Sequence, residues 1–197
     1  MSQQLVTLVS PEEYLRRERQ AEHKSEYLNG EIFAMGGASE QHNLIAGNIF
    51  GELRQQLRGR PCKAYISDMR VKVRAVGLYT YPDVVVVCDE PQFEDAEVDT
   101  LVNPAVLLEV LSTSTERYDR IAKSSYYRTI DSLAEHVLVA QNEVRLEQYV
   151  RQSNGQWALL EFTALASAAR LSSIGCSLNL TDVYDKVTFD PNRRVTR

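Results

Sequence analysis

The chain has 197 residues, of which 44% are hydrophobic and 25% charged, with a net charge of −5. That is the make-up of one ordinary globular domain over 1–197, not of a disordered or fibrous chain. No apolar run approaches the roughly 20 residues of a membrane span, Met1 to Ser10 lacks a signal-peptide pattern, and the three cysteines include no Cys-x-x-Cys pair, which argues against a zinc ribbon or a disulfide framework and suits a reducing cytoplasm.

Ser10-Pro11-Glu12-Glu13 predicts a helix start, with Ser10 capping and proline at the first helical position, and a helix running to about Glu22. Tyr27-Leu28, Asn29-Gly30, Ile32-Phe33 predicts a hairpin, because both turn residues tolerate positive φ. Leu44, Ile45, Ile49, Leu53 and Leu57 recur at helical spacing, so Ser39 to Leu57 reads as an amphipathic helix. Cys62 to Val73 alternates as one or two strands, Gly77 turns the chain, and Leu78 to Val87 is extended. After an acidic loop, Ala105 to Leu111 reads as a buried strand. Thr113-x-x-Glu116 opens a helix to about Ile130, and Ala134 to Ala140 is a further strand. Val144 to Val150 and Trp157 to Phe162 form a hairpin through Asn154-Gly155, and a short helix lies near Thr181 to Tyr184. The order implies a mixed α/β sandwich around one sheet.

Two acids stand out. Asp83 follows Tyr81-Pro82 and precedes four valines; Glu109 lies within Val106-Leu107-Leu108-Glu109-Val110-Leu111. A carboxylate in an apolar strand needs compensation. Two on pairing strands are most simply compensated by one divalent ion, and hard oxygen donors select Mg²⁺ or Mn²⁺. The alternative is a turn aspartate and a glutamate paired with arginine. Asp119, Lys123 and Tyr127 make an i, i+4, i+8 line on the following helix that could face those acids. Taken alone, Asp119 and Lys123 are better explained as a surface ion pair worth about 0.3–0.5 kcal/mol. His42 and Glu31 are further candidate ligands or proton-handling groups. Between Arg54 and Arg74 there are seven basic residues and one acid. Within that strip Arg54, Arg58, Arg70, Lys72 and Arg74 could form a phosphate-binding face, or simply a solvated one.

Taken together, Glu26-Tyr27-Leu28-Asn29-Gly30-Glu31, His42-Asn43, Pro82-Asp83-Val84-Val85-Val86, Leu108-Glu109-Val110-Leu111-Ser112, Ser114-Thr115, Asp119, Lys123 and Tyr127 resemble the Uma2 family of restriction-endonuclease-like proteins. The likeness runs from about Ser10 to Tyr184, and the family is similar to the PD-(D/E)xK nuclease superfamily. It implies a restriction-endonuclease-like central mixed sheet flanked by helices, with extra hairpins. It implies Mg²⁺ (or Mn²⁺) on Asp83, Glu109 and the Val110 carbonyl, and site roles for Glu31 and His42. The superfamily lysine belongs two residues after the glutamate, where this chain has Leu111, so the resemblance moves that role to Lys123. The strand ending Ala140-Gln141 lacks the family's terminal aspartate, a departure expected at the sheet edge more than in the chemistry.

Two functions follow from this pattern. The first is a metal-dependent endonuclease acting on DNA, with Asp83, Glu109, Lys123, Glu31 and His42 in the site. The second is a nuclease-like fold that binds nucleic acid or protein without cutting, favoured by Leu111 and the acidic net charge. No membrane partner is expected. A homodimer is, because edge strands in an apolar C-terminal half invite pairing.

Overall fold

The computed structural model describes residues 8–112 and 115–189. Helix α1 (Pro11–Glu18) is capped by the Ser10 hydroxyl, which accepts from the Glu13 amide at 3.2 Å. It stops short of Glu22 because the Glu18 carboxylate turns inward to the Ser25 amide, 2.8 Å away. Strands β1 (Ser25–Leu28) and β2 (Glu31–Ala34) form the expected hairpin, with Asn29 and Gly30 at φ 48° and 98°. Helix α2 (Glu40–Gln56) is capped by Ser39 and buries Ile45, Ala46, Ile49 and Leu53.

Each of the next two stretches breaks into two strands. They are β3 (Lys63–Ile66) and β4 (Arg70–Val73), then β5 (Leu78–Thr80) and β6 (Val84–Val87). Strand β7 (Thr100–Leu101) emerges from the acidic loop and β8 (Val106–Leu111) follows. One helical segment runs through α3 (Glu116–Tyr118), a π-helical turn (Asp119–Lys123) and α4 (Ser124–Tyr127). Its expected cap, Thr113, lies outside the described residues. The chain ends in β9 (Glu135–Ala140), β10 (Leu146–Arg151), β11 (Trp157–Phe162), the hairpin β12 (Ala168–Leu171) and β13 (Cys176–Asn179), and α5 (Leu180–Val183).

The fold is mixed α/β as expected, but its strands make two main sheets rather than one. The larger has order β11-β10-β9-β8-β6-β3, with β8 and β9 parallel; the smaller has order β2-β1-β5-β4-β7. The chain changes sheet between β3 and β4 and again between β5 and β6. The Ser67 amide ties the two crossings together, donating to the Asp83 carbonyl at 2.9 Å. Pro82 suits such a corner, since it cannot continue a ladder.

Period-2 burial explains the layers. Val84, Val86, Val106, Leu108 and Val110 pack against α2, α5 and the β12–β13 hairpin. Val85, Val87 and Leu107 face the other way, toward Val71, Val73 and Leu78 of the smaller sheet and Tyr127 of α4. Tyr27 and Tyr79 on the smaller sheet's far side meet Tyr14 and Leu15 of α1.

The cysteines build no framework, yet one bridge joins Cys62 to Cys88. The antiparallel ladder pairs Lys63 with Val87, so the two thiols stand opposite each other at its next position, a long-range placement the cysteine spacing does not reveal. Cys176 is buried and free. Among the described residues no helix is long and apolar enough to cross a membrane.

Candidate active site

The site forms where the chain passes from one sheet to the other. Strands β6 and β8 pair Val84 with Leu108 and Val85 with Leu107. One step further along the same register, Asp83 stands opposite Glu109, and cross-strand neighbours share a face. The two acids are therefore on one side of the sheet. Asp83 is held from two directions: its Oδ1 meets His42 Nε2 at 2.9 Å, and its Oδ2 accepts from the Val110 amide at 2.7 Å. His42 reaches it from the first turn of α2.

Glu109 is 5% exposed. Its Oε1 accepts from the Tyr127 hydroxyl at 2.5 Å and lies 3.0 Å from Lys123 Nζ. Lys123 also meets Glu26 at 2.8 Å and Asp119 at 3.8 Å. The predicted line Asp119, Lys123, Tyr127 does face inward, and all three side chains are buried. The helix widens here into a π turn, where the Ser124 hydroxyl also donates to the Asp119 carbonyl at 2.7 Å. Such single π turns recur at functional sites because they re-aim side chains. Leu111 is buried and apolar, and the ammonium that its position lacks arrives from this helix.

Glu26 is the residue the sequence did not single out. It sits on β1 with its side chain turned from the Tyr27 core, accepts from the Thr80 hydroxyl, and pairs with Lys123. The available signal was strand alternation: with Tyr27 inward, Glu26 must face the other side. Glu31 does not join the cluster. It is exposed on the edge strand opposite Leu28, two cross-strand pairs along the hairpin from Glu26, and does not line the cavity. Gln141 also departs from expectation. Strand β9 is interior to its sheet, and the Gln141 side-chain Oε1 accepts from the Ser39 hydroxyl at 2.6 Å as part of the cavity wall.

The cavity has a volume of about 1070 Å³ and is walled by the β1–β2 hairpin, the Gly36-Gly37 loop, the start of α2 and the π turn, with Asp83, Asp119 and Lys123 in its lining. Its electrostatics are one-sided. Burial, with Asp83 and Asp119 adding to it, raises Glu109 against the opposing pull of Lys123. Burial also raises Asp119. For Lys123 burial pulls downward, but its anionic neighbours, Glu109 foremost, outweigh it and hold the ammonium charged. Three carboxylates, Glu26, Glu109 and Asp119, thus share one lysine, and Asp83 stands beside Glu109 on the neighbouring strand.

That excess of negative charge, carried on oxygen, fits a hard divalent cation. Among the described residues no three His, Cys, Asp or Glu side chains converge closely enough to hold an ion alone. Mg²⁺ commonly takes only one or two protein carboxylates and completes its shell with water and substrate phosphate. Asp83 and Glu109 are two such carboxylates on one face of the sheet.

The basic strip does not form one face. Arg54 is exposed on α2 and Arg58 just past its end, on one side of the larger sheet, while Arg74 is exposed after β4, on the other. Arg70 is 4% exposed and committed to Tyr81 and Asp99. Lys72 pairs with Glu94 at 2.5 Å. Sequence proximity is lost because β3 and β4 enter different sheets.

Comparison with known proteins agrees with this architecture. The Synechocystis sp. (strain PCC 6803) "Uncharacterized protein sll1609" is 39% identical over 154 residues, 78% of this chain and 87% of its own. "Uncharacterized protein slr1290" from the same strain is 34% identical over 181 residues, 92% and 94% of the two chains. The crystal structure of "a putative nuclease belonging to DUF820" from Anabaena variabilis ATCC 29413 shares the fold, with a TM-score of 0.72 at 17% identity, covering 91% of this chain and 99% of that one. The family described as "Uma2: Putative restriction endonuclease" matches residues 11–181. That span carries Glu26, Asp83, Glu109 and Lys123 together with every strand and helix that positions them, and the chain belongs to the Uma2 family.

Proposed function

We propose that the protein is a metal-dependent endonuclease that hydrolyses phosphodiester bonds of DNA. The observation that carries this is the buried Lys123 ammonium, 2.8 Å from Glu26 and 3.0 Å from Glu109, beside the Asp83 carboxylate in a cavity open to substrate. Asp83 and Glu109, with the Val110 carbonyl, would hold Mg²⁺ or Mn²⁺, which when bound supplies activation of water and relief of charge on the scissile phosphate. Lys123 orients the attacking water or stabilises the charge that develops. Its three anionic partners keep it protonated and hold its position. His42 and the Val110 amide fix the Asp83 carboxylate through both oxygens. Tyr127 holds Glu109 through Oε1. The test is cleavage of plasmid and single-stranded DNA with Mg²⁺ or Mn²⁺. Cleavage that disappears with chelator, and in Glu109→Gln, is expected. No cutting with any divalent ion at high protein concentration overturns the proposal.

One observation favours a second reading, a fold that binds nucleic acid or protein without cutting. Asp83 Oδ1, Asp83 Oδ2 and Glu109 Oε1 all already have protein partners. Titration calorimetry decides between the two: a site that takes up no Mg²⁺, with Asp83→Asn giving the same trace, selects the binder. For a self-partner, the free edge of β11 is the surface we propose, since it ends the larger sheet and exposes Leu159 and Leu160.

A further inference from the structure

Two aromatic rings stand in water on the wall of the same cavity. Phe33, 48% exposed, is directly across the β1–β2 ladder from Glu26 and so shares its face. Tyr118, 36% exposed, immediately precedes Asp119 in the helical segment. Both line the cavity, with Gly36 and Gly37 on its rim and open space where their Cβ atoms would be. Large apolar side chains left exposed around recessed polar groups mark a binding surface. The reacting groups lie deep by comparison: Glu109 and Lys123 are each 5% exposed.

Two physical consequences follow. Duplex DNA is stiff over about 150 base pairs, and its bases are stacked inside. Its backbone cannot descend to buried side chains at a cavity floor without costly distortion, whereas an unpaired strand is free to enter. The cavity also offers little charge to hold a phosphate ladder. Its lining lysines are Lys24 and Lys123; Lys24 is tied to Asp68 at 3.0 Å and to the Ser67 carbonyl at 2.9 Å, and Lys123 to its carboxylates. Affinity must then come from something other than counterion release, and base–aromatic stacking is indifferent to sequence. Resting on the phosphodiesterase reading above, we propose that Phe33 and Tyr118 form a stacking platform for the bases of an unpaired strand, which makes single-stranded DNA the substrate.

The test uses the full chain and one fluorescein-labelled oligonucleotide in three forms: unpaired, annealed to its complement, and abasic. Anisotropy reads binding and gel electrophoresis with Mn²⁺ reads cleavage. The unpaired strand is expected to bind about ten-fold or more tighter than the other two and to be cut fastest, with a shallow salt dependence. Phe33→Ala and Tyr118→Ala should each weaken unpaired-strand binding by about ten-fold, and Phe33→Trp should restore it. Both side chains are exposed, so thermal melts of the variants should match the parent. Duplex or abasic DNA bound as tightly as the unpaired strand, or alanine variants that bind normally, overturns the platform and leaves the nuclease reading standing. Binding that depends on Phe33 without cleavage under any divalent ion does the reverse. Neither binding nor cleavage of any form removes both.

Discussion

Lys123 reaches Glu109 at 3.0 Å from a helix, although the strand position two residues after Glu109 is held by the buried Leu111. The ammonium comes to the carboxylate over a π turn rather than along a strand. It is one buried cation paired to three acids, so its removal carries a structural cost. Lys123→Met should destabilise the fold by about 3–5 kcal/mol, because it leaves buried carboxylates without their counter-charge. The double variant Lys123→Met with Glu109→Gln should recover part of that loss. Urea denaturation of the single and double variants measures it; a strictly additive pair would show that the two do not interact.

Leu111 and Glu109 lie on the same face of β8, since strand side chains alternate. A lysine placed at 111 therefore points toward the same acids. Adding Leu111→Lys to Lys123→Met should restore part of the cleavage activity lost in the single variant. Single-turnover assays on one DNA substrate compare the two; no gain would mean that the approach from the helix is required.

Glu26 and Glu31 bracket the same turn but differ in environment. Glu26 is paired to Lys123, whereas Glu31 is exposed. Glu26→Gln is expected to lower cleavage by about 100-fold by releasing the lysine from its position, while Glu31→Gln should change it by less than about two-fold. Rates of both variants under identical conditions decide which glutamate belongs to the site.

His136 lies fully buried between Tyr127 and Tyr149, and burial pulls its pKa from 6.5 down to about 3. Its folded form is neutral, whereas the unfolded chain gains a proton below pH 6.5. Stability from this group is therefore full above pH 6.5 and falls as the pH drops toward 3, by about 1.4 kcal/mol per pH unit. His136→Phe should flatten that part of the profile, which denaturation at a series of pH values would reveal.

The edge of β11 runs Trp157-Ala158-Leu159-Leu160-Glu161-Phe162, with no proline or lysine to blunt it and an unbroken ladder to β10 behind it. Leu159 and Leu160 point to opposite faces, so a two-fold copy would extend both cores at once. Light scattering should give twice the monomer mass for the parent and the monomer mass for Leu160→Lys. A monomeric parent at high concentration removes the dimer.

Much of the local structure is written in short segments. The caps at Ser10 and Ser39, the Asn29-Gly30 turn and the spacing of Ile45, Ile49 and Leu53 are satisfied by neighbours within a few residues, so the residues alone specify them. Asp83 and Glu109 are legible for a related reason, since a charge in an apolar run needs a partner wherever the chain goes, whereas Lys123 is legible only from its helical line with Asp119 and Tyr127 and from the family resemblance. What could not be read was which partner. The changes of sheet at Ser67 and at Tyr81-Pro82-Asp83 bring Glu26 rather than Glu31 to the lysine, split the basic strip across the larger sheet, and set Cys62 against Cys88. Those outcomes depend on which strands pair at long range, and pairing is decided by burying two faces of a sheet at once, a property of the assembled layers and of no single segment.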